Sequence, residues 1–172
     1  MRRMAKQLQR PLQPLEMAAT AYIALGSNLG DRASYLRCAI NRINKIPMTR
    51  IKKLSRIEET SPVGGPRQGP YLNGVAQIET GLPAQRLMDS LRQIEQALGR
   101  PAEHPHWGAR TVDLDIIDYN GLCMTTPVLS LPHPRAHQRT FVLRPLTQIA
   151  PNWIHPALGK TAFRLLDEVT AQ

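Results

Sequence analysis

Apolar residues recur along the chain with two different periods, and together these periods predict strands interleaved with helices. Short apolar runs and period-2 alternation predict strands at 21–25, 50–59, 71–80 and 107–117. Spacings of three and four residues predict helices at 36–46, 83–98, 139–149 and 162–169. The interleaving predicts an α+β sandwich whose sheet is mainly antiparallel.

The segments between these elements carry their own signals. The first 19 residues are basic and contain Pro11 and Pro14, so we expect a flexible extension at 1–19 and a single domain at 20–172. Residues 61–70 hold three prolines and three glycines, so this loop is expected to be mobile, and residues 100–106 form a second loop rich in Pro and His. Asn120-Gly121 predicts a tight hairpin that returns the preceding strand along residues 122–131.

The strand at 107–117 carries two carboxylates in strict alternation with apolar residues. The alternation places Val112, Leu114 and Ile116 on a core face and Thr111, Asp113 and Asp115 on the opposite face. Two carboxylates on one face can bracket one cation or a pair of cations, and oxygen ligands favour Mg²⁺ or Mn²⁺ over zinc. The alternative is an edge strand with two solvated acids, but the nearby Trp107 and Arg110 favour a site for a metal-bound polyphosphate.

Composition narrows the possible partners. The formal net charge is +9 over 172 residues, which indicates an anionic partner. Aromatic residues make up 5% of the chain, too few for the stacking surfaces of a single-strand binder, so nucleic acid is the weaker interpretation. Cys38 and Cys123 lack zinc-ligand spacing and are expected to be reduced structural thiols. No apolar run suits a membrane span or a secretory signal, which predicts a soluble, cytoplasmic protein.

Several smaller patterns have two interpretations each. The stretch 26–30 suggests either a phosphate cradle or a turn between a strand and a helix. Tyr71 and Asn73 lie one strand period apart, so they could hold a flat heterocycle or pack in the core. Glu95 alone would be a solvated helical acid. Five basic residues lie near element ends, where they could reach phosphates: Arg100, Arg110, His133, Arg139 and Arg144.

From about residue 20 to the end, the chain resembles the 6-hydroxymethyl-7,8-dihydropterin pyrophosphokinases of folate biosynthesis. Four segments carry the resemblance in order: 22–31 (YIALGSNLGD), 71–73 (YLN), 107–116 (WGARTVDLDI) and 132–135 (PHPR) with Arg139 and Phe141. The resemblance implies a ferredoxin-like fold and the transfer of pyrophosphate from ATP to the pterin hydroxymethyl group, with release of AMP. It implies a monomer that acts on two small molecules. The alternative is a basic nucleotide- or RNA-binding α+β domain without catalysis.

The resemblance also assigns roles to individual residues. Asp113 and Asp115 would hold two Mg²⁺ ions, and Arg110 would act with them in catalysis. Contacts with ATP are implied for Glu95, Arg100, Arg110, His133, Arg139 and Ile116. Contacts with the pterin are implied for Thr60, Val63, Tyr71, Asn73, Trp107 and Phe141. The chain departs from the family pattern at Ala102, His106 and Ala109, where Arg, Arg and Pro are common, and these departures imply changed loop kinetics at most.

Overall fold

The computed structural model of the protein describes residues 18–62, 68–100 and 108–171. Its strands are β1 (Ala19–Ser27), β2 (Thr49–Leu54), β3 (Glu58–Thr60), β4 (Tyr71–Thr80), β5 (Asp113–Tyr119), β6 (Met124–Thr125) and β7 (Ser130–Leu131). Its α-helices are α1 (Arg32–Ile43), α2 (Ala84–Ala97), α3 (Thr140–Ile149) and α4 (Ala162–Thr170), and a 3-10 helix spans Ala136–Gln138. Strand β1 begins one residue before the expected domain start at residue 20, and residues 1–17 of the expected extension lie outside the described ranges.

The main sheet has a ferredoxin-like topology. Strand β1 is antiparallel to β4 on one side and to β5 on the other, and β2 and β3 are antiparallel to β4. The long strands therefore run β5-β1-β4-β2 across the sheet. Helix α1 connects β1 to β2, and α2 connects β4 to β5, which gives the βαββαβ arrangement. The α+β sandwich expected from the sequence is confirmed.

Helices cover both faces of this sheet. On one face, Ile23 and Leu25 of β1 pack in a buried cluster with residues of α1 and α2. On the other face, Val75 and Ile117 pack in a second buried cluster with residues of α3 and α4. Each such side chain contributes roughly 1.5–3 kcal/mol on burial. Because both faces are covered, a ligand site on this sheet has to form near one of its ends.

The acidic strand places its residues as the alternation predicts. Leu114 and Ile116 of β5 are buried against α1 and α2. Asp113 and Asp115 point to the opposite face, where Ile117 further along the strand is buried against α3 and α4. The two carboxylates therefore lie just beyond the edge of the second core.

The strand expected at 50–59 is two strands, and the expectation of one continuous strand is wrong. After β2, the Ser55 hydroxyl accepts a hydrogen bond from Val75 N at 2.9 Å, and Ser55 N donates to Val75 O at 2.9 Å. The Ser55 side chain thus replaces a backbone acceptor, and the ladder is interrupted until β3 begins at Glu58.

The turn expected at Asn120-Gly121 forms, but the expected pairing of β5 with residues 122–131 is wrong. Both residues have the positive φ that such a turn requires, 51° and 71°. The outer edge of β5 is met instead by His133, whose N donates to Ile117 O at 2.8 Å. The segment after the turn forms its own small sheet, in which β6 pairs with β7.

Three other expectations concern membrane spans, the two cysteines and the two loops. The described residues include no helix long and apolar enough to cross a membrane. Cys38 and Cys123 are free thiols, as expected, but both are exposed, so the structural role expected for them is not supported. The loop at 61–70 is described only at its ends, and of the loop at 100–106 only Arg100 is described.

A buried polar cluster lies under α3 and α4, away from the acidic pair. Trp153 Nε1 donates to Asp118 Oδ2 at 2.9 Å, and the Trp153 ring meets the His155 ring edge-on at 5.6 Å. Burial lowers the pKa of His155, and the neighbouring His137 lowers it further against the opposing effect of Asp118. His155 Nδ1 accepts from the backbone N of Ala157 and of Leu158, at 3.2 Å each. The folded protein therefore holds His155 in the neutral form.

We expect this histidine to make stability depend on pH. Because the folded state lowers its pKa, unfolding binds a proton below about pH 6.5, and the free energy of unfolding falls as the pH drops through that value. The variant His155→Asn keeps an acceptor but does not titrate. Chemical denaturation from pH 8 to pH 5 should show the wild type losing stability relative to the variant, whereas parallel curves would contradict the prediction.

Candidate functional site

A cavity of about 290 Å³ opens where β1 ends and β4 and β5 begin. Its size is close to the lower end of the range for small-molecule pockets, about 300–1,000 Å³. Nine residues predicted to bind ligands line it: Thr60, Tyr71, Asn73, Arg110, Asp113, Asp115, His133, Arg139 and Phe141. These residues come from five separate segments of the chain, and the fold brings them together.

Asp113 and Asp115 form the acidic wall of this cavity. Asp113 Oδ1 accepts hydrogen bonds from two guanidinium groups, Arg100 Nη1 at 2.8 Å and Arg110 Nη1 at 2.6 Å. Asp115 has no such close arginine contact among the described residues, and its side chain is 34% exposed. Desolvation and the nearby Asp113 raise the pKa of Asp115, so the ligand-free site already disfavours two negative charges.

Glu95 supports the acidic wall from behind. It is 7% exposed on α2, and its Oε1 accepts from Leu114 N at 2.8 Å and from Arg100 Nη1. Burial raises its pKa to about 7, although the charge of Arg100 opposes the shift. The residue is not the solvated helical acid that it would be in isolation, and it does not line the cavity. It fixes Arg100 and the start of β5 relative to each other.

His133 and Arg139 line the cavity beside the acidic wall. His133 Nδ1 accepts from Arg135 N at 3.1 Å, so the proton of the neutral ring is on Nε2, which lies 3.7 Å from Asp115 Oδ2. Burial lowers the His133 pKa to about 4, with further lowering by Arg139 and Arg135. His133 therefore acts at neutral pH as an uncharged N–H donor. Arg139 lies 5.5 Å from the centre of the Phe141 ring, within cation-π range.

The remaining wall is aromatic and amide in character. Asn73 is buried, and its Nδ2 donates to Thr60 Oγ1 at 2.6 Å, while Tyr71 OH donates to Gln68 Oε1 at 3.3 Å. Together with Phe141, which also lines the cavity, these residues offer two rings and an amide. Such groups can stack on a flat heterocycle and hydrogen-bond to its edge.

Gly26 joins the acidic wall to the aromatic wall. A Cβ at this position would lie 3.1 Å from Asn73 Oδ1, 3.7 Å from Asp113 Cβ and 3.9 Å from Tyr71 Cδ1. The absence of a side chain therefore keeps the floor of the cavity open. In the same stretch, Gly30 has a φ of +65° and forms the turn before α1. The turn interpretation of 26–30 is confirmed, and Gly26 adds a role as cavity floor that the pattern did not distinguish.

Some predicted residues are not brought to the cavity. The Ile116 side chain is buried with α1 and α2 on the other face of the sheet and does not line the cavity, and its predicted contact with ATP stays a prediction. Arg144 is 57% exposed and lies 3.9 Å from Glu58. Val63 and Trp107 lie outside the described residues, as do Ala102 and His106.

The sequence patterns assigned no roles to five other cavity residues: Ser61, Pro62, Gln68, Arg135 and Gln138. Gln68 belongs to the Pro/Gly loop at 61–70. Its position three residues before Tyr71 is the sequence feature that would have indicated a place in the cavity. Arg135 is the last residue of the 132–135 motif, and it approaches the cavity because the 3-10 helix begins directly after it.

Comparison with known proteins gives a consistent result. The sequence profile of the family described as 7,8-dihydro-6-hydroxymethylpterin-pyrophosphokinase (HPPK) matches residues 22–151. The chain is 46% identical over 129 residues to the 2-amino-4-hydroxy-6-hydroxymethyldihydropteridine pyrophosphokinase of Bacillus subtilis, covering 75% of this chain and 77% of the relative. It is 39% identical over 142 residues to the protein of the same name from Aquifex aeolicus, covering 83% and 87%. A crystal structure of Plasmodium falciparum HPPK-DHPS with pteroate matches with a TM-score of 0.71 at 14% identity, over 90% of this chain and 43% of that chain, and supports the fold.

Proposed function

The chain belongs to the 7,8-dihydro-6-hydroxymethylpterin-pyrophosphokinase family, and on this premise we propose how its own side chains hold the reactants. Membership confirms the activity expected from the sequence, an ATP-dependent pyrophosphokinase of folate biosynthesis. The proposal extends this activity to the roles of individual residues, the metal ions and the oligomeric state.

In the proposed reaction the hydroxymethyl oxygen of 6-hydroxymethyl-7,8-dihydropterin attacks the β-phosphorus of ATP. The new bond joins that oxygen to the β-phosphorus, the bond between the α,β-bridging oxygen and the β-phosphorus breaks, and AMP leaves. The hydroxyl proton is released to solvent. The protein has to place the two reactants in line and balance the charge of the triphosphate.

Asp113 and Asp115 suit a magnesium site. Their donors are carboxylate oxygens, the ligands that Mg²⁺ prefers, and both line the cavity. The described residues contain no cluster of three or more His, Cys, Asp or Glu that could enclose a metal ion, and Mg²⁺ usually takes its other ligands from water and substrate phosphates. Two bound Mg²⁺ ions would offset the phosphate charge and polarise the reacting oxygens. A divalent cation would also relieve the repulsion that raises the Asp115 pKa.

The cationic groups are proposed to hold the triphosphate. Arg110 and Arg139 line the cavity, whereas Arg100 does not line it and donates to Asp113 Oδ1. Guanidinium groups bind phosphate oxygens with charge-assisted hydrogen bonds. His133, neutral and with its proton on Nε2, can donate to a phosphate oxygen without adding a charge.

The aromatic wall is proposed to hold the pterin. Tyr71 and Phe141 would stack on the ring, while Asn73 and Thr60 would bond to its polar edge. Placed there, the pterin would be adjacent to Asp113, because the residue between Asn73 and Asp113 is Gly26, which has no side chain. The observation that carries the proposal is that one cavity holds both the acid pair and the two rings.

The test is AMP release from Mg-ATP, with and without 6-hydroxymethyl-7,8-dihydropterin. We expect AMP only when the pterin is present, in amounts equal to the pterin diphosphate formed. Pterin-independent AMP, or none under either condition, would contradict the proposal, and tight RNA binding by the same preparation would then favour the noncatalytic alternative. We propose that the protein acts as a monomer, which light scattering on the same preparation would measure.

A further inference from the structure

Asn28 is not among the proposed ligand contacts. Its side chain is hydrogen-bonded to the backbone of Arg110 and to the side chain of Gln68, and both of these residues line the cavity. Asn28 is in the turn between β1 and α1 and is 8% exposed. A buried amide side chain needs partners for its carbonyl oxygen and for its NH₂ group. In Asn28 these two groups have partners from different segments of the chain.

The side-chain oxygen and the backbone N–H of Asn28 are hydrogen-bonded to the main chain of Arg110. Arg110 N donates to Asn28 Oδ1 at 2.7 Å, and Arg110 O accepts from Asn28 N and Leu29 N, at 3.1 Å each. These three hydrogen bonds fix the Arg110 backbone. The Arg110 guanidinium reaches Asp113 from that fixed position.

The amide nitrogen of Asn28 is connected to Tyr71 through the side chain of Gln68. Asn28 Nδ2 donates to Gln68 Oε1 at 2.9 Å, and Tyr71 OH donates to the same oxygen at 3.3 Å. Gln68 thus connects the buried amide to a ring that lines the cavity. A continuous series of hydrogen bonds runs from the Arg110 backbone through Asn28 and Gln68 to the Tyr71 hydroxyl.

We propose that Asn28 is a positioning residue that couples nucleotide binding to pterin binding through this series. The inference rests on the proposed function, because it assumes that Arg110 contacts the triphosphate and Tyr71 contacts the pterin. When Mg-ATP orders Arg110, the shared amide orders Gln68 and Tyr71, so the pterin loses less conformational freedom on binding. The coupling is reciprocal, since each ligand must raise the affinity of the other by the same factor.

Asparagine suits this position because it offers an acceptor and a donor from one planar group. The variant Asn28→Asp retains an acceptor for Arg110 N but has no donor for Gln68 Oε1. The variant Gln68→Ala leaves the Asn28–Arg110 bonds in place and removes the connection to Tyr71. Tyr71→Phe removes only the hydroxyl and keeps the ring.

The experiment measures the dissociation constant of the pterin by calorimetry, with and without a saturating α,β-methylene analogue of Mg-ATP. The ratio of the two constants is the coupling factor, which typically lies in the range of about 5–150 for coupled sites. We expect this factor to fall toward one in Gln68→Ala, Asn28→Asp and Tyr71→Phe. Gln68→Ala combined with Tyr71→Phe should cause no further fall, because both changes break the same link. The matched control is Gln93→Ala, an exposed glutamine on α2, which should keep the wild-type factor.

Two results would overturn the inference: a wild-type factor of one, or a factor that stays at the wild-type value in Gln68→Ala. A merely structural role for Asn28 would weaken both ligands or lower the melting temperature without changing their ratio. AMP release by the wild type separates the two hypotheses. If AMP forms only with pterin but the coupling factor is unchanged in the variants, the proposed function stands and only the role of Asn28 fails.

Discussion

Replacing Asp115 with asparagine is expected to lower the rate of AMP formation by at least about 10²–10³-fold, the loss seen when one group that stabilises transition-state charge is removed. Asparagine has almost the same shape, but its neutral amide is a poor ligand for Mg²⁺. The Asp115 carboxylate lines the cavity and is not held by an arginine at hydrogen-bond distance among the described residues, which leaves it accessible to a cation. Steady-state AMP release at saturating Mg-ATP and pterin measures the effect.

The same substitution should not unfold the protein, and this separates a lost function from a lost fold. Because desolvation and, after it, the charge of Asp113 raise the pKa of Asp115, removing its charge relieves an unfavourable interaction in the ligand-free protein. The melting temperature should stay level or rise. Asp167→Asn, an exposed acid on α4, is the matched control and should keep full activity. A fully active Asp115→Asn protein would remove the metal-site role from this carboxylate.

The variant Arg110→Lys is expected to lose about 10²-fold in turnover, even though the positive charge is retained, because an ammonium group cannot reproduce the planar donor geometry of a guanidinium. The Arg110 side chain extends from a backbone held by three hydrogen bonds, and lysine keeps the main-chain N and O atoms that make those bonds. The substitution therefore tests the guanidinium alone. Initial rates over a range of Mg-ATP concentrations separate a change in KM from a change in kcat.

Arg164→Lys is the matched control for that experiment. Arg164 is on α4 with an exposed side chain, 3.2 Å from Glu168, and it does not line the cavity. Its replacement should leave kcat and KM at their wild-type values. Equal rates for Arg110→Lys and Arg164→Lys would mean that the charge at position 110, and not its geometry, is what matters.

The parts of the fold that depend on local pattern could be predicted from the sequence. Strand β4 has the predicted bounds, and the period of two in β5 correctly places Leu114 and Ile116 in the core and both acids on the other face. The family resemblance implies a contact between Ile116 and ATP, and the alternation places the Ile116 side chain in the core. The burial of that side chain agrees with the alternation, because the face of a strand residue is fixed by its parity. The contact with ATP stays a prediction.

The parts that depend on competition between distant segments could not be predicted. The turn at Asn120-Gly121 forms as its local chemistry requires, but His133 reaches the outer edge of β5, and no local signal shows that. The break between β2 and β3 likewise depends on the hydroxyl of Ser55 meeting Val75 across the sheet.

Glu95 is an intermediate case. As a lone helical acid it is expected to be solvated, although it lies four residues after the buried Leu91, a spacing that would have indicated the buried face of α2. The identity of its partners, Arg100 and the Leu114 amide, depends on the chain between α2 and β5 and could not be read from that period.

The paired arginines on Asp113 have a consequence for ligand selectivity. In the resting protein, Arg100 and Arg110 neutralise this carboxylate, and the carboxylate in turn occupies one N–H group of each guanidinium. A metal ion arriving alone would have to displace two cations, and a nucleotide arriving alone would have to compete with an anion already in place. The magnesium complex of the nucleotide can satisfy both partners in one exchange, with the cation going to the acid and the phosphates to the arginines. We therefore expect the resting site to discriminate against uncomplexed ATP and against stray divalent ions.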